Sequence, residues 1–109
     1  MLSIEGRNIK ISQGDTFNVC FQVFGYEFKD TDIVVFTVKK GEYTNEPLIQ
    51  KTYENIQDNR INVVVSADEM DDLETGDYVY DLVCKSDDVI LTLNYPSKLK
   101  IVGVVHDDM

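Results

Sequence analysis

The feature that most constrains the fold of this chain is a repeated alternation of apolar and polar residues in short runs. Such alternation places successive side chains on opposite faces of a β-strand. The runs recur at intervals of about ten residues, and spacing typical of amphipathic helices is nearly absent. They predict strands over these ranges: 9–11, 16–24, 33–39, 48–53, 60–66, 78–85, 89–94 and 98–105.

The lack of helices limits how these strands can be connected. Parallel strands need long crossover connections, which are usually helical, whereas antiparallel strands can be joined by short turns. The pattern therefore predicts an all-β, antiparallel β-sandwich of about 7–9 strands. One short helical turn is expected near 67–73, with Ser66 or Asp68 as its N-cap.

Length and composition indicate a single domain. The chain has 109 residues, of which 43% are hydrophobic, enough to form a core. We expect one domain over residues 1–109, with a frayed tail at 106–109.

A motif at the start of the predicted strand 78–85 specifies the kind of sandwich. Leu73, Gly76 and Tyr78 have the spacing Leu-x-x-Gly-x-Tyr. In a tyrosine corner, a tyrosine near the start of a strand turns inward and its hydroxyl binds the backbone a few residues upstream. Leu73 would fill the bottom of the core, and Gly76 would allow a tight turn with positive φ. The motif predicts an immunoglobulin-like sandwich.

The charge of the chain limits its partners. Twenty acidic and ten basic residues give a formal net charge of −10, which opposes binding to nucleic acid phosphates. No apolar run approaches the roughly 18 residues needed to cross a bilayer, and the N-terminal residues do not resemble a signal peptide. We therefore expect no nucleic acid or membrane partner, and synthesis in the cytoplasm.

The two cysteines are predicted to lie on opposite faces of their strands. Cys20 alternates with the apolar set that includes Val19 and Phe21, whereas Cys84 shares a face with Tyr80 and Leu82. A disulfide between the sheets is therefore disfavoured, and two free thiols fit a reducing compartment.

The residues that usually carry chemistry form no recognisable constellation. His106 has no triad partners or second histidine at a defined spacing, and no phosphate-binding or nucleophile-elbow motif is present. The acidic residues between Asp68 and Asp77 lack the rhythm of an EF-hand, although calcium remains an alternative to helix capping and solvation. We predict a protein that is not an enzyme, with no catalytic, cofactor or metal site.

Two segments are candidate contact surfaces. The predicted strand containing Leu48, Gln50, Thr52 and Tyr53 follows Pro47, which suits an edge strand that could add a partner strand. Tyr26 and Phe28 lie in a loop flanked by charges. Together with Tyr43, Tyr53 and Tyr95 they would have to form any sugar-binding platform, since the chain has no Trp.

Five groups of residues form a pattern along the chain: Gly14, Asp15 and Thr16; Val34, Phe36 and Val38; Gly76, Tyr78, Tyr80 and Asp81; Thr92 and Leu93; and Leu99 and Ile101. This pattern resembles that of small β-sandwich proteins of phage and prophage structural modules, including the N-terminal domain of upper baseplate proteins. Tyr95–Ser97 stands where that family usually has a glycine.

The resemblance implies a non-enzymatic virion component of the tail or baseplate, which docks to other virion proteins or to itself and becomes part of the particle. Two alternatives are a cytosolic immunoglobulin-like protease inhibitor and a carbohydrate-binding module. The loops at 24–31 and 40–47 do not resemble glycine- and proline-rich inhibitory loops, and the lack of Trp argues against a carbohydrate-binding module.

Overall fold

The computed structural model describes residues 3–5, 7–41 and 46–103, and the side chains from residue 7 onward. Within these ranges it contains eight strands and one short helix. The elements are β1 (Ser3–Glu5), β2 (Asn8–Ser12), β3 (Phe17–Gln22), β4 (Ile33–Lys39), β5 (Ile49–Glu54), β6 (Arg60–Val65), α1 (Ala67–Asp71), β7 (Gly76–Ser86) and β8 (Val89–Val102).

The strands form two sheets. The larger has six strands in the order β1-β2-β8-β7-β4-β5, and the smaller consists of β3 and β6. The predicted all-β, immunoglobulin-like sandwich is confirmed. One pairing departs from the wholly antiparallel prediction, because β2 runs parallel to β8 from Ile9↔Leu99 to Ser12↔Val102.

The core lies between the inner faces of the two sheets. The alternation predicted which side chains enter it: Val34, Phe36 and Val38 of β4 are almost fully buried, as are Ile61, Val63 and Val65 of β6. Phe17, Phe21, Phe36 and Tyr80 form a chain of tilted aromatic contacts with ring centroids 5.5–6.2 Å apart. Cys20 is exposed and Cys84 buried, as predicted from their strand parity.

The C-terminal part of the fold differs most from the prediction. The strands expected at 89–94 and 98–105 are one continuous strand, β8, which includes Pro96. Register shifts against β7 occur near Tyr80 and Leu82, and such irregularities accommodate a proline in a sheet. The end of the predicted strand at 104–105, the tail at 106–109 and Tyr43 lie outside the described residues.

Strand β1 was not predicted, because three residues are too few to show a period of two. The other strands begin or end within two residues of their predicted limits. In the part of the chain that the structure describes, no helix is long and apolar enough to cross a membrane.

Candidate docking surfaces

Tyr78 closes the turn that leads from α1 into β7. Its hydroxyl donates a 2.7 Å hydrogen bond to the carbonyl oxygen of Glu74, four residues upstream, which is the geometry of a tyrosine corner. Leu73 is buried beneath it. Gly76 has a φ of 148°, which L-residues with a side chain rarely adopt. The amine of Lys40 lies 4.4 Å from the centroid of the Tyr78 ring, a cation–π contact.

The predicted edge strand corresponds to β5, the last strand of the six-stranded sheet. Gln50 and Thr52 are exposed and pair in register with Thr37 and Val35 of β4. The side chain of Leu48, just before the strand, is 48% exposed. Tyr53 differs from these three, because it is half-buried and packs against the core.

A shallow groove lies beside β5 on the outer face of the large sheet. Its volume is about 250 Å³, and its lining includes Val35, Val83 and Gln50. The amide of Gln50 donates to the hydroxyl of Thr37 at 3.3 Å. Thr37 is nearly buried although it faces outward, so neighbouring side chains already remove this part of the face from water. A surface that is partly dry and partly polar suits a protein interface.

Asp81 also lines this groove. Burial raises the pKa of its carboxyl above the usual value, and the charge of Lys39 lowers it in part. A partly desolvated carboxylate on the outer face of a sheet lowers the stability of the isolated chain. A cation or a hydrogen-bond donor on a partner would compensate it.

The outer face of the large sheet differs in charge from the whole chain. Among its described side chains, lysines outnumber the carboxylates, which are Glu54, Asp77 and Asp81. This face is therefore electrostatically complementary to the acidic remainder of the protein. Its lysines are Lys10, Lys39, Lys85, Lys98 and Lys100.

The predicted contact loop is anchored to the body of the protein. Tyr26 and Phe28 form an edge-to-face pair, with ring centroids 5.1 Å apart, and both pack against the core. The Tyr26 hydroxyl donates to a carboxylate oxygen of buried Asp32 at 2.6 Å. The backbone N–H of Lys29 and the Tyr26 hydroxyl lower the pKa of Asp32. In this loop, Phe24 projects outward instead, with 82% of its surface exposed.

The acidic run has local structural roles. The hydroxyl of Ser66 accepts a hydrogen bond from the N–H of Glu69 and so caps α1. The Glu69 carboxylate lies 2.8 Å from the amine of Lys51 on β5, and the hydrogen bond from Lys51 lowers the pKa of Glu69. Within the described residues, no three His, Cys, Asp or Glu side chains are grouped so as to hold a metal ion.

Several exposed features were not identified from the sequence. Phe24, Val89 and Ile90 are large apolar side chains in solvent, the last two beside the β7–β8 turn. Their exposure depends on how far the loop and the hairpin project, which an alternation pattern does not encode. The outer groove was missed because it combines residues from β4, β5 and β7.

Comparison with known proteins supports the fold. No family model matches the chain, and no curated protein matches it. Among solved structures, it is similar to a proposed glycoside hydrolase from Bacteroides vulgatus, with a TM-score of 0.51 and 14% sequence identity. The match covers 91% of this chain and 17% of the other. At this level of identity the likeness shows a shared fold alone.

Proposed function

We propose that this chain is a non-enzymatic structural or assembly protein of a phage or prophage particle, of the tail or baseplate type. It is made in the cytoplasm and incorporated into the particle. It acts by docking to other virion proteins or to further copies of itself. The sequence elements shared with phage β-sandwich proteins support the particle assignment.

The observation that carries the docking function is the position of β5. It is the end strand of the large sheet, and its exposed Gln50 lines the adjacent groove. An end strand offers backbone N–H and C=O groups to a partner strand, and the groove offers side-chain contacts beside them. The lysines of the outer face oppose the acidic surfaces of other copies, which favours head-to-tail contacts.

Solution mass tests the docking function. We expect light scattering over a concentration series to show a defined oligomer, weakened by salt because the contact joins opposite charges. Thr52→Glu adds a negative charge to the lysine-bearing outer face at β5 and should shift the equilibrium towards monomer. Thr31→Glu, the same change in an exposed loop, is the matched control. A monomer at every concentration, with no partner found in particles, would refute the proposal.

The particle assignment has a separate test. Mass spectrometry of particles purified after prophage induction of the source cells should find this chain as a stoichiometric component. Its presence in the cell extract and absence from assembled particles and assembly intermediates would rule out the assignment. The β5 variants could then be compared for their incorporation.

A second candidate, a carbohydrate-binding accessory module, is suggested by the solved neighbour. The similarity spans a small part of a longer chain described as a proposed glycoside hydrolase, as expected for one module of a multidomain protein. The exposed aromatic side chains Phe24 and Tyr95 would supply its contacts. Retention of the protein on insoluble polysaccharides, lost in a Phe24→Ala variant, would favour this candidate over docking.

A further inference from the structure

Within the described part of the chain, strand β3 pairs with another strand along one edge. It pairs with β6 in the two-stranded sheet, and the Val23 N–H extends this ladder by donating to the Asn59 carbonyl oxygen at 2.8 Å. In an antiparallel ladder, alternate residues direct their peptide groups to the partner strand. Asn18, Cys20 and Gln22 therefore direct theirs to the opposite edge. Among the described residues, no strand pairs with that edge.

The other side of the sandwich is closed by β5. Lys51 reaches from β5 to Glu69 of α1 in an ion pair of 2.8 Å. Burial raises the pKa of Tyr53, and a hydrogen bond with the backbone of Val64 on β6 lowers it in part. Side chains of the large sheet thus cover the outer edge of β6. The free edge of β3 instead borders a groove.

Two adjoining cavities of about 200 and 280 Å³ make up this groove. The first is lined by four consecutive residues, 19–22, which include inward-facing and outward-facing side chains of β3. A cavity that touches both faces of a strand must lie along its edge. Tyr80 and Leu82 of β7 line the inner side of the groove, and both are almost fully buried.

The lining also defines the chemistry that the groove would accept. Arg7 contributes to both cavities and, among the described residues, is the one charged side chain in either lining. The Tyr80 hydroxyl donates a hydrogen bond to the Arg7 carbonyl oxygen and so fixes this wall. Phe24 lines the second cavity and remains 82% exposed. The rest of the lining is apolar or neutral.

We propose that the free edge of β3 binds an extended peptide segment of a partner protein as a third strand. Its alternate apolar side chains enter the groove, and a carboxylate lies opposite Arg7. The six residues of β3 correspond to a segment about 20 Å long. Backbone hydrogen bonds would provide affinity, and the groove would select the side chains.

A lone strand fits this site better than the edge of a second folded copy. A strand added to β3 would lie about 10 Å above the large sheet, at the usual distance between packed sheets. A single strand fits there, whereas the second sheet of another sandwich would collide with the large sheet. This site rests on the proposed docking function, because both require a protein partner. It differs in the strand edge that is used, which is β3 instead of β5.

A synthetic peptide can test this site directly. The probe has about ten residues, with valine alternating with threonine, a central glutamate, lysines at both ends for solubility, and one tryptophan. The protein has six Tyr and no Trp, so fluorescence excited at wavelengths that tyrosine does not absorb reports the peptide alone. We expect saturable binding, and no binding by a version with proline at alternate positions, which lacks the donors for a ladder.

Hydrogen exchange locates the bound peptide without a mutation. The outward amides of Asn18, Cys20 and Gln22 should exchange rapidly in the free protein and become protected by the peptide. The amides of Val19 and Phe21, already in the ladder with β6, should change little. Peptide binding without protection of the three outward amides would overturn the proposal.

Two variants examine the edge and the charge separately. Cys20→Pro removes an outward N–H and leaves the β3–β6 ladder intact, so it should weaken binding at least about tenfold. Arg7→Glu should weaken binding of the glutamate peptide. The same variant should bind a peptide that has lysine in place of the central glutamate. Thr52→Glu on β5 is the control and should bind normally. Unchanged binding by both Cys20→Pro and Arg7→Glu would exclude this site.

The result can be separated from the self-association test. Failure of the peptide to bind, with Thr52→Glu still reducing the oligomer, would remove the β3 site and leave docking through β5. Competition between peptide binding and self-association would identify a second copy as the occupant and would contradict the proposal.

Discussion

The Tyr78 hydroxyl links the start of β7 to the turn before it. Tyr78→Phe removes the hydrogen bond to the Glu74 carbonyl oxygen while keeping the buried ring. We expect the free energy of unfolding to fall by about 1 kcal/mol. Tyr95→Phe is the control, because Tyr95 is 67% exposed and its loss should change stability by less than about 0.5 kcal/mol. Equal effects of both changes in urea unfolding would contradict the role assigned to Tyr78.

The Asp81 carboxylate is expected to reduce the stability of the isolated chain. Its pKa is raised mainly by burial, so its ionised form is disfavoured in the fold at neutral pH. Asp81→Asn should raise the free energy of unfolding by about 0.5 kcal/mol at pH 7. The gain should shrink as the pH falls through the folded pKa, because the wild-type carboxyl then becomes neutral. Asp77→Asn, on the same face of β7 but exposed, is the control. A gain that does not depend on pH would argue against this cause.

At the scale of elements, α1 is short enough to depend on its cap. It has five residues, and the Ser66 hydroxyl accepts from the N–H of Glu69. Ser66→Ala should lower the free energy of unfolding by about 1 kcal/mol, whereas Ser66→Asp should retain most of it. Thermal unfolding of both variants, followed by circular dichroism, measures the difference. A loss of the same size in Ser66→Asp would show that the cap is not the cause.

An element could be predicted from the sequence when it is determined by residues close together in the chain. The inner faces of β4 and β6 follow from alternation alone, because successive side chains of a strand always point to opposite faces. The continuity of β8 through Pro96 depends on its bulged register with β7, which is a property of two strands together. The parallel pairing of β2 with β8 likewise joins residues about 90 positions apart and leaves no local signal.

Prediction of the candidate surfaces was limited for the same reason. Pro47 indicated an edge, and β5 is the end of its sheet. The groove at β3 brings together residues as distant as Arg7 and Asn94. Only the complete molecule shows that β1 and β2 both belong to the large sheet, which leaves one edge of β3 without a neighbour among the described strands.

For the whole molecule, we expect stability to decline at alkaline pH. The pKa values of Tyr53, Tyr78 and Tyr80 are raised mainly by burial, and that of Tyr26 by its hydrogen bond to Asp32. Their stabilising contribution is fully present below the unfolded value of about 10 and is lost as the pH rises through the folded values. Urea unfolding at constant ionic strength should show this fall as the pH rises above about 10. A constant free energy of unfolding over that range would refute the prediction.

The parallel contact between β2 and β8 has a mechanical consequence. Residues before β2 leave the contact beside Leu99, and residues after β8 leave it at the opposite end, beside Ser12. A pull on the two ends of the domain therefore slides one strand along the other and loads all of their hydrogen bonds together. Strands pulled apart from one end would instead lose their bonds one at a time. After the three residues of β1 peel away, this shearing contact bears the tension, so the domain resists extension by a pull on its two ends.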